Sequence, residues 1–246
     1  MLIEGEMVTS NDFINLYIYS DSLAFRRPGQ PQDLSFTYPF LLKALTERHL
    51  GVRTNLIMRG GGGARVSDIG KTIKRDAGYF GGDATALNIA ILQLGIVDCA
   101  PRPITYAVSP LLRILPIVGP RILAMFVRHR RGLQNIWSYA VTSQSAFKRE
   151  YASIVYTCRS AQIRVLSIGL PLPPFPIEHR SPGFRRSASI YNTLIHDLVP
   201  DSFCDMEQYM TESLRETLLL PDGHHLTEEG HRFYAEKIFD HLKKLL

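Results

Sequence analysis

Four short apolar runs, separated by stretches with helical spacing, constrain the fold of this chain more than any other feature. They cover residues 13–19, 54–58, 87–94 and 163–168. The first run is rich in β-branched and aromatic residues, which favour β-strands. Between the first two runs, a helical pattern over 40–50 is opened by Pro39 and closed by Gly51. Because parallel strands need crossover connections of this kind, the sequence predicts an α/β fold, a three-layer α/β/α domain with a central parallel sheet.

The chain is predicted to form one domain with an inserted helical region. Its 246 residues, 45% of them hydrophobic, can bury a large core, and no linker divides them. We therefore expect a single domain over 1–246. About 65 residues separate the third and fourth apolar runs, more than one crossover helix needs. This predicts a helical insertion over approximately 105–160, which either packs on one side of the sheet or caps a pocket.

The charge and hydropathy of the chain argue against nucleic-acid binding and against a transmembrane span. The formal charge is +5, from 28 Lys and Arg against 23 Asp and Glu, which is too small and too dispersed to predict nucleic-acid binding. The basic run 128–131 could meet a phosphate-rich surface, but a solvated helix end is the simpler interpretation. Prolines and arginines interrupt the apolar stretch 110–127, so no transmembrane span is expected, and peripheral membrane contact stays an open alternative.

Cysteine usage and the N-terminus bear on the compartment. Cys99, Cys158 and Cys204 are odd in number and lack CxxC spacing, which indicates neither a disulfide framework nor a thiolate zinc site. Residues 1–12 lack the basic and apolar sections of a secretory signal. The expectation is a cytoplasmic protein in a reducing compartment, and the sequence leaves its oligomeric state undetermined.

Three residues supply the groups that a hydroxyl nucleophile needs. Ser22 follows the first predicted strand, and Asp222 and His225 precede a terminal helix for which Thr227 is a good N-cap. A serine nucleophile needs a neutral histidine as base, and the histidine needs an acceptor that fixes its tautomer. An aspartate three residues before a histidine can orient that imidazole from a tight turn. Each residue taken singly has an ordinary alternative as a turn, helix-entry or loop side chain.

In combination, four blocks resemble those of the SGNH/GDSL hydrolase family, in family order. They are Ser20-Asp21-Ser22-Leu23 for the family's Gly-Asp-Ser-Leu, Gly63 followed by Ser67-Asp68-Ile69, Gly95-Ile96-Val97-Asp98 for Gly-x-Asn-Asp, and Asp222-x-x-His225. The resemblance implies a flavodoxin-like SGNH hydrolase architecture with Ser22 as nucleophile, His225 as base and Asp222 as its partner. It also implies an oxyanion hole formed by the backbone N–H groups of Ser22 and Gly63. Tyr191-Asn192 resembles the family more weakly.

Val97 stands where the family has an asparagine whose side chain is the third oxyanion donor. Valine cannot donate, and loss of one such donor can cost about 10²–10³ in rate. Either another group substitutes, for which the nearby Asp98 and Arg102 are candidates and Arg102 is preferred, or activity is modest, or the protein is a degenerate binder. An ordinary surface salt bridge is the alternative role for Arg102. Ser20 in place of the family's first glycine is a mild change because both residues are small.

No cofactor or metal is expected. Gly70-Lys71-Thr72 has the ending of a phosphate-binding loop, but Arg65 stands where GxxxxGK[ST] requires glycine. His179, His224, His225 and His231 lack the HExxH spacing or a similar one, so solvated or capping histidines are the simpler interpretation.

The sequence therefore predicts a serine hydrolase that cleaves a carboxylic ester of a small molecule or glycan, with a small O-acyl group on a carbohydrate or metabolite preferred. An acyltransferase that uses the same acyl-enzyme cannot be separated from it by sequence. A catalytically degenerate binding module of the same fold is the third alternative, and Val97 is its only support.

Overall fold

The centre of the molecule is a five-stranded sheet. The computed structural model describes residues 13–27, 29–31, 33–80, 86–102, 121, 125 and 140–246. The strands are β1 (Phe13–Ser20), β2 (Arg53–Gly60), β3 (Ala86–Gln93), β4 (Arg164–Ile168) and β5 (Phe203–Cys204). All neighbouring strands pair in parallel, in the order β2-β1-β3-β4-β5. Ser20 aligns with Gly60 on one side and with Gln93 on the other, so the carboxyl ends of β1, β2 and β3 lie at one level.

Helices cover both faces of this sheet. They are α1 (Tyr38–Leu50), α2 (Val66–Phe80), α3 (Ile96–Cys99), α4 (Gln144–Ser160), α5 (Phe175–Glu178), α6 (Phe184–Leu198), α7 (Glu212–Leu218) and α8 (Glu228–Leu245), with 3₁₀ turns at Leu34–Phe36, Pro200–Ser202 and Met206–Tyr209. Helix α1 packs on α8, and α4 packs on α2 and α6. The molecule is therefore a three-layer α/β/α domain whose strand order is flavodoxin-like, as the sequence predicts.

Alternation along β1 explains why the sheet is buried on both faces. Leu16 and Ile18 belong to the core shared with α1 and α8, whereas Tyr17 and Tyr19 belong to the core shared with α2, α4 and α6. Successive side chains of a strand point to opposite faces. An apolar run without polar alternation is thus the pattern that a central parallel strand requires.

Local signals placed the helix ends correctly. Helix α1 ends at Gly51, whose φ of 69° is left-handed and suits glycine. Helix α8 begins after Thr227, whose side chain accepts a hydrogen bond from the N–H of Gly230. The segment Gly70-Lys71-Thr72 lies inside α2, so it does not form a phosphate-binding loop.

Within the predicted insertion over 105–160, the structure describes residues 121, 125 and 140–160. Residues 144–160 are helical, and α4 connects β3 to β4 as a crossover helix packed against the sheet. Most of 103–139 and most of the apolar stretch 110–127 lie outside the described residues, so the role of the insertion and the single-domain organisation stay predictions. Among the described residues, none of the helices has the length and apolar character that crossing a bilayer demands. Cys99, Cys158 and Cys204 are buried and unpaired.

Candidate active site

Ser22 lies in a tight turn directly after β1. The carboxylate of Asp21, between the strand and Ser22, accepts hydrogen bonds from the N–H groups of Leu23 (3.1 Å) and Ile96 (3.2 Å). The hydroxyl of Ser20 accepts a hydrogen bond from the N–H of Ala24 at 3.3 Å. Because these acceptors hold the backbone on both sides of Ser22, the position of its hydroxyl is fixed by the turn.

Asp21 is the most deeply buried carboxylate of this turn, with no exposed surface. Burial raises the pKa of Asp21 to about 7, although the N–H groups of Leu23 and Ile96 favour its ionised form. The resemblance to Gly-Asp-Ser-Leu placed Asp21 beside the nucleophile but gave it no role. In the structure, the hydrogen bonds that Asp21 accepts link the Ser22 turn to the start of α3.

His225 is presented by a loop that begins at Asp222 and folds back on itself. The N–H of Leu220 donates to the carbonyl of His225 at 2.7 Å, and Asp222 Oδ1 accepts from the N–H groups of His224 (3.2 Å) and His225 (3.1 Å). Gly223 has a φ of 83°, and a Cβ there would lie 2.5 Å from the side chain of Ile177. A glycine is therefore required where this loop meets α5.

The structure brings Ser22, His225 and Asp222 into one hydrogen-bonded chain. His225 Nε2 lies 2.7 Å from Ser22 Oγ, and His225 Nδ1 lies 2.7 Å from Asp222 Oδ2. Ser22 and His225 are buried, whereas the side chain of Asp222 is 40% exposed. With Nδ1–H donating to the carboxylate, Nε2 of the neutral imidazole is free to accept the proton of Ser22. This arrangement can turn the hydroxyl into a nucleophile.

Asp222 has an electrostatic environment that keeps it ionised. Partial burial opposes ionisation, but the hydrogen bond from His225 and the neighbouring His224 outweigh it and lower the pKa of Asp222 well below its ordinary value. An ionised Asp222 fixes the tautomer of His225 across the neutral pH range.

His224, for which the sequence predicts a solvated or capping role, lies in the site beside His225. Its ring lies 4.1 Å from that of His225, between centroids, and meets the edge of the Phe184 ring at 5.9 Å. Burial lowers the pKa of His224 to about 4, although the neighbouring Asp222 acts in the opposite direction. His224 is thus a neutral wall of the site at neutral pH.

Asp222, His224 and His225 offer the one group of ligand atoms among the described residues with the spacing of a metal site, all within 4.8 Å of one another. However, both ring nitrogens of His225 are already hydrogen-bonded, Nδ1 to Asp222 and Nε2 to Ser22. A metal ion bound there would take the base away from Ser22. The geometry therefore favours proton transfer over metal binding.

The two backbone N–H groups predicted to form an oxyanion hole, those of Ser22 and Gly63, lie just after β1 and β2. Within the described residues, the N–H groups of Ser22 and Gly63 donate to no protein acceptor. Gly63 has a φ of 81°, and a Cβ at Gly60 would lie 1.7 Å from the carbonyl oxygen of Ser20. Only glycine at position 60 lets β2 end this close to the nucleophile turn.

Val97 is partly buried in the helix α3 and packs against the apolar core, so its side chain offers no hydrogen bond. Asp98 does not replace the missing donor, because its carboxylate is an acceptor for the N–H of Val66 (3.0 Å) and the hydroxyl of Thr142. Arg102 is exposed at the end of the described segment 86–102. Its predicted role as a substitute donor stays a prediction.

Asn192 holds the proline-rich loop that follows β4. Its side-chain amide accepts from the N–H of Leu170 at 2.7 Å and donates to the carbonyl of Leu170 at 2.9 Å. Tyr191, its neighbour, donates to the carbonyl of Thr142. The weak resemblance at Tyr191-Asn192 therefore marks residues that anchor the loop after β4 and the segment at Thr142 to α6.

No family model and no curated protein sequence matches the chain. Several solved structures do, over nearly the whole chain. A lipase/acylhydrolase from Enterococcus faecalis superposes with a TM-score of 0.63 at 13% identity, over 95% of this chain and 97% of the other. A GDSL-like lipase from Bacteroides thetaiotaomicron gives 0.57 at 14% identity, over 94% and 89%. An acetyl xylan esterase gives 0.56 at 16% identity, over 92% and 98%. The chain thus has the fold of the GDSL/SGNH hydrolases.

Proposed function

We propose that the protein is a serine hydrolase that cleaves carboxylic esters through an acyl-enzyme on Ser22. The observation that carries this proposal is the unbroken chain from Ser22 Oγ through His225 to Asp222, with both distances at 2.7 Å. Three such groups aligned at the carboxyl ends of parallel strands supply a nucleophile, a base and an orienting acceptor.

The reaction runs in two halves. Ser22 Oγ attacks the ester carbonyl while His225 Nε2 takes its proton, and the resulting imidazolium gives that proton to the leaving alcohol oxygen as the C–O bond breaks. Water then attacks the acyl-enzyme, with His225 as base again, and releases the carboxylic acid. Asp222 holds the imidazole in the required tautomer throughout.

The N–H groups of Ser22 and Gly63 would stabilise the oxyanion of each tetrahedral intermediate. That neither donates to a protein acceptor within the described residues supports this role. The place of the third donor is held by Val97, so the hole has two backbone donors unless Arg102 supplies another.

A small O-acyl group on a carbohydrate or metabolite is the proposed substrate. The acetyl xylan esterase among the similar structures supports this choice, since its name describes removal of a small acyl group from a glycan. An acyltransferase would form the same acyl-enzyme and pass the acyl group to another hydroxyl instead of water. A degenerate binding module is favoured only by Val97, and the aligned hydrogen-bonded chain opposes it.

Replacement of Ser22 tests the proposal. The Ser22→Ala variant should lose hydrolysis of a short-chain nitrophenyl ester and labelling by a fluorophosphonate probe, with an unchanged thermal unfolding midpoint. Ser189→Ala, at an exposed serine on α6, is the matched control and should keep both activities. Equal hydrolysis and labelling in the wild type and Ser22→Ala would show that Ser22 is not the nucleophile. A folded wild type that neither hydrolyses nor labels would favour the binding module, and faster turnover with an added alcohol acceptor would favour the acyltransferase.

A further inference from the structure

The loop between β2 and α2, which carries Gly63, is anchored at both of its ends. At its start, the N–H of Gly61 donates to the carbonyl of Ser20, the last residue of β1, at 3.3 Å. At its end, the N–H of Val66, the first residue of α2, donates to Asp98 Oδ2 at 3.0 Å. Gly63 lies between these two contacts in the sequence. The two hydrogen bonds therefore restrict where the Gly63 N–H lies relative to the end of β1.

Asp98 is a buried residue whose two carboxylate oxygens have different partners. It has no exposed surface. Oδ2 accepts from the N–H of Val66, and Oδ1 accepts from the hydroxyl of Thr142. Burial raises the pKa of Asp98, although these two hydrogen bonds favour its ionised form. Because both oxygens are bonded, the orientation of the carboxylate toward Val66 is fixed.

Thr142, the second partner of Asp98, is itself anchored by three contacts. Its N–H donates to the carbonyl of Asp98 at 3.2 Å, in addition to the bond from its hydroxyl. Its carbonyl accepts from the hydroxyl of Tyr191 on α6, and the ring of Tyr191 packs on that of Phe147 on α4 at 4.7 Å between centroids. Asp98 is thus the residue through which the start of α2, the helix α3 and the segment before α4 contact one another.

We propose that Asp98 is a positioning residue for the oxyanion hole, and that it acts by holding the loop of Gly63 in place through Val66. The inference rests on the proposed function, because the Gly63 N–H stabilises charge only if Ser22 forms a tetrahedral intermediate. A backbone donor acts on an oxyanion when it lies about 2.7–3.1 Å from it, so a small displacement of the loop lowers the rate. Since Val97 has no side-chain donor, the reaction depends more on the place of the Gly63 N–H than it would with the asparagine of the SGNH pattern.

A second buried carboxylate on α2 provides a matched control. Asp76, toward the other end of this helix, is also buried, and it accepts from the hydroxyl of Tyr19 at 3.3 Å and from Arg59 Nε at 3.0 Å. Both carboxylates anchor α2, but only Asp98 does so at the end next to Gly63. If Asp98 served stability alone, removal of either carboxylate would destabilise the fold and leave turnover alike. A positioning role predicts a loss of turnover for Asp98 only.

The first test compares the two alanine variants. Hydrolysis of 4-nitrophenyl acetate gives kcat/KM, and thermal unfolding gives the stability. We expect Asp98→Ala to lower kcat/KM about 10- to 100-fold, and Asp76→Ala to destabilise the fold while kcat/KM stays within about threefold of the wild type. Asp98→Asn should recover most of the loss, because its carbonyl oxygen can accept from the N–H of Val66 and its amide can donate to the hydroxyl oxygen of Thr142.

A milder pair of variants covers the case in which Asp98→Ala does not fold. Thr142→Val removes one of the two hydrogen bonds to the Asp98 carboxylate and keeps the shape of the side chain, so kcat/KM should fall about threefold to tenfold. Thr157→Val is the matched control and should keep the wild-type value, since the hydroxyl of Thr157 donates within α4, to the carbonyl of Ser153 at 2.8 Å. Equal turnover in these two variants, together with an unfolded Asp98→Ala, would assign Asp98 to stability alone.

A second readout reports on the oxyanion itself. Ser22 Oγ adds to the carbonyl carbon of a trifluoromethyl ketone such as 1,1,1-trifluoro-2-butanone, His225 takes the serine proton, and the carbonyl oxygen becomes the anion of a hemiketal. The inhibition constant of this ketone should rise in Asp98→Ala by about the factor by which kcat/KM falls, and it should not change in Asp76→Ala.

Two results would overturn the positioning role while leaving the hydrolase intact. They are an equal change of kcat/KM in Asp98→Ala and Asp76→Ala, and an unchanged inhibition constant of the ketone in a folded Asp98→Ala. A folded wild type that neither hydrolyses the ester nor is labelled by the fluorophosphonate probe would instead refute the proposed function, and the role of Asp98 with it.

Discussion

The triad side and the predicted oxyanion side of the candidate site differ in the hydrogen-bonding groups that they provide. On the triad side, His225 is held by hydrogen bonds at both ring nitrogens, each 2.7 Å long, and its loop is fixed by Asp222 Oδ1 and by Gly223 against Ile177. On the predicted oxyanion side, the N–H groups of Ser22 and Gly63 donate to no acceptor within the described residues, and Val97 has an apolar side chain. The fold therefore aligns the groups for proton transfer in one hydrogen-bonded chain, whereas the proposed oxyanion hole would have fewer donors than the SGNH pattern provides.

Breaking the triad side should have the largest effect. In Asp222→Asn, Oδ1 can keep its bonds from the N–H groups of His224 and His225, which places the amide NH₂ where Oδ2 now accepts from Nδ1. The imidazole must then take the other tautomer, and Nε2 can no longer accept the proton of Ser22. We expect kcat for a nitrophenyl ester to fall about 10⁴-fold with an unchanged thermal midpoint. A fall of less than about tenfold would show that Asp222 does not orient the base.

Adding a donor on the oxyanion side should change kcat less than Asp222→Asn does, and it should raise kcat instead of lowering it. Val97→Asn adds a side-chain amide where the SGNH pattern has one, and a donor that acts in the transition state should raise kcat by up to about 10²-fold. The measurement is kcat for the same ester, with thermal unfolding as the check on folding. If the amide finds no partner in its partly buried position, the variant should instead lose on the order of 1–3 kcal/mol of stability.

Arg102→Ala is the companion to Val97→Asn. A faster Val97→Asn together with an unaffected Arg102→Ala would support a hole of two backbone donors. An inert Val97→Asn together with a folded but slow Arg102→Ala would support Arg102 as the third donor. If neither variant changes turnover, Val97 does not border the oxyanion.

Contacts between residues close in sequence could be predicted from the sequence more directly than long-range contacts. Asp222 and His225 are three residues apart, so their pairing is a local property of a turn. Ser22 and His225 are 203 residues apart, and His225 lies in the loop between α7 and α8, after no strand of the sheet. Their meeting could therefore be expected only from the resemblance to the SGNH/GDSL blocks. Apolar runs made β1 to β4 visible in the sequence, although in the edge strand β2 only Thr54 is buried. Strand β5 has two residues and is defined by its pairing with β4, so no local sequence pattern predicts it.

Other features of the site depend on tertiary contacts, which the sequence does not show. The neutral state of His224 follows from burial against Phe184 and His225, and neither contact is visible in the sequence. Helix α4 lies within the range predicted for the insertion and connects β3 to β4. An amphipathic crossover helix and an inserted helix have the same periodicity, so the sequence does not separate them. A sequence pattern records which residues are buried, but it does not record which partner buries them.

The last prediction concerns Asp21, which connects the two sides by accepting from Leu23, next to the nucleophile, and from Ile96, next to Val97. Its pKa is about 7 in the folded protein against an ordinary 3.8, so the folded state holds this proton more tightly than the unfolded chain does. The stability that Asp21 contributes is complete below about pH 4 and is lost as the pH rises through about 7. Asn cannot ionise. The free energy of unfolding of the wild type should therefore decline relative to that of Asp21→Asn by on the order of 1–3 kcal/mol between pH 5 and pH 8. Urea unfolding followed by circular dichroism at several pH values measures the difference, and Asp201→Asn, at an exposed carboxylate, should follow the wild-type curve. Parallel curves for the wild type and Asp21→Asn would mean that Asp21 is ionised throughout and that its two N–H bonds, rather than burial, decide its charge.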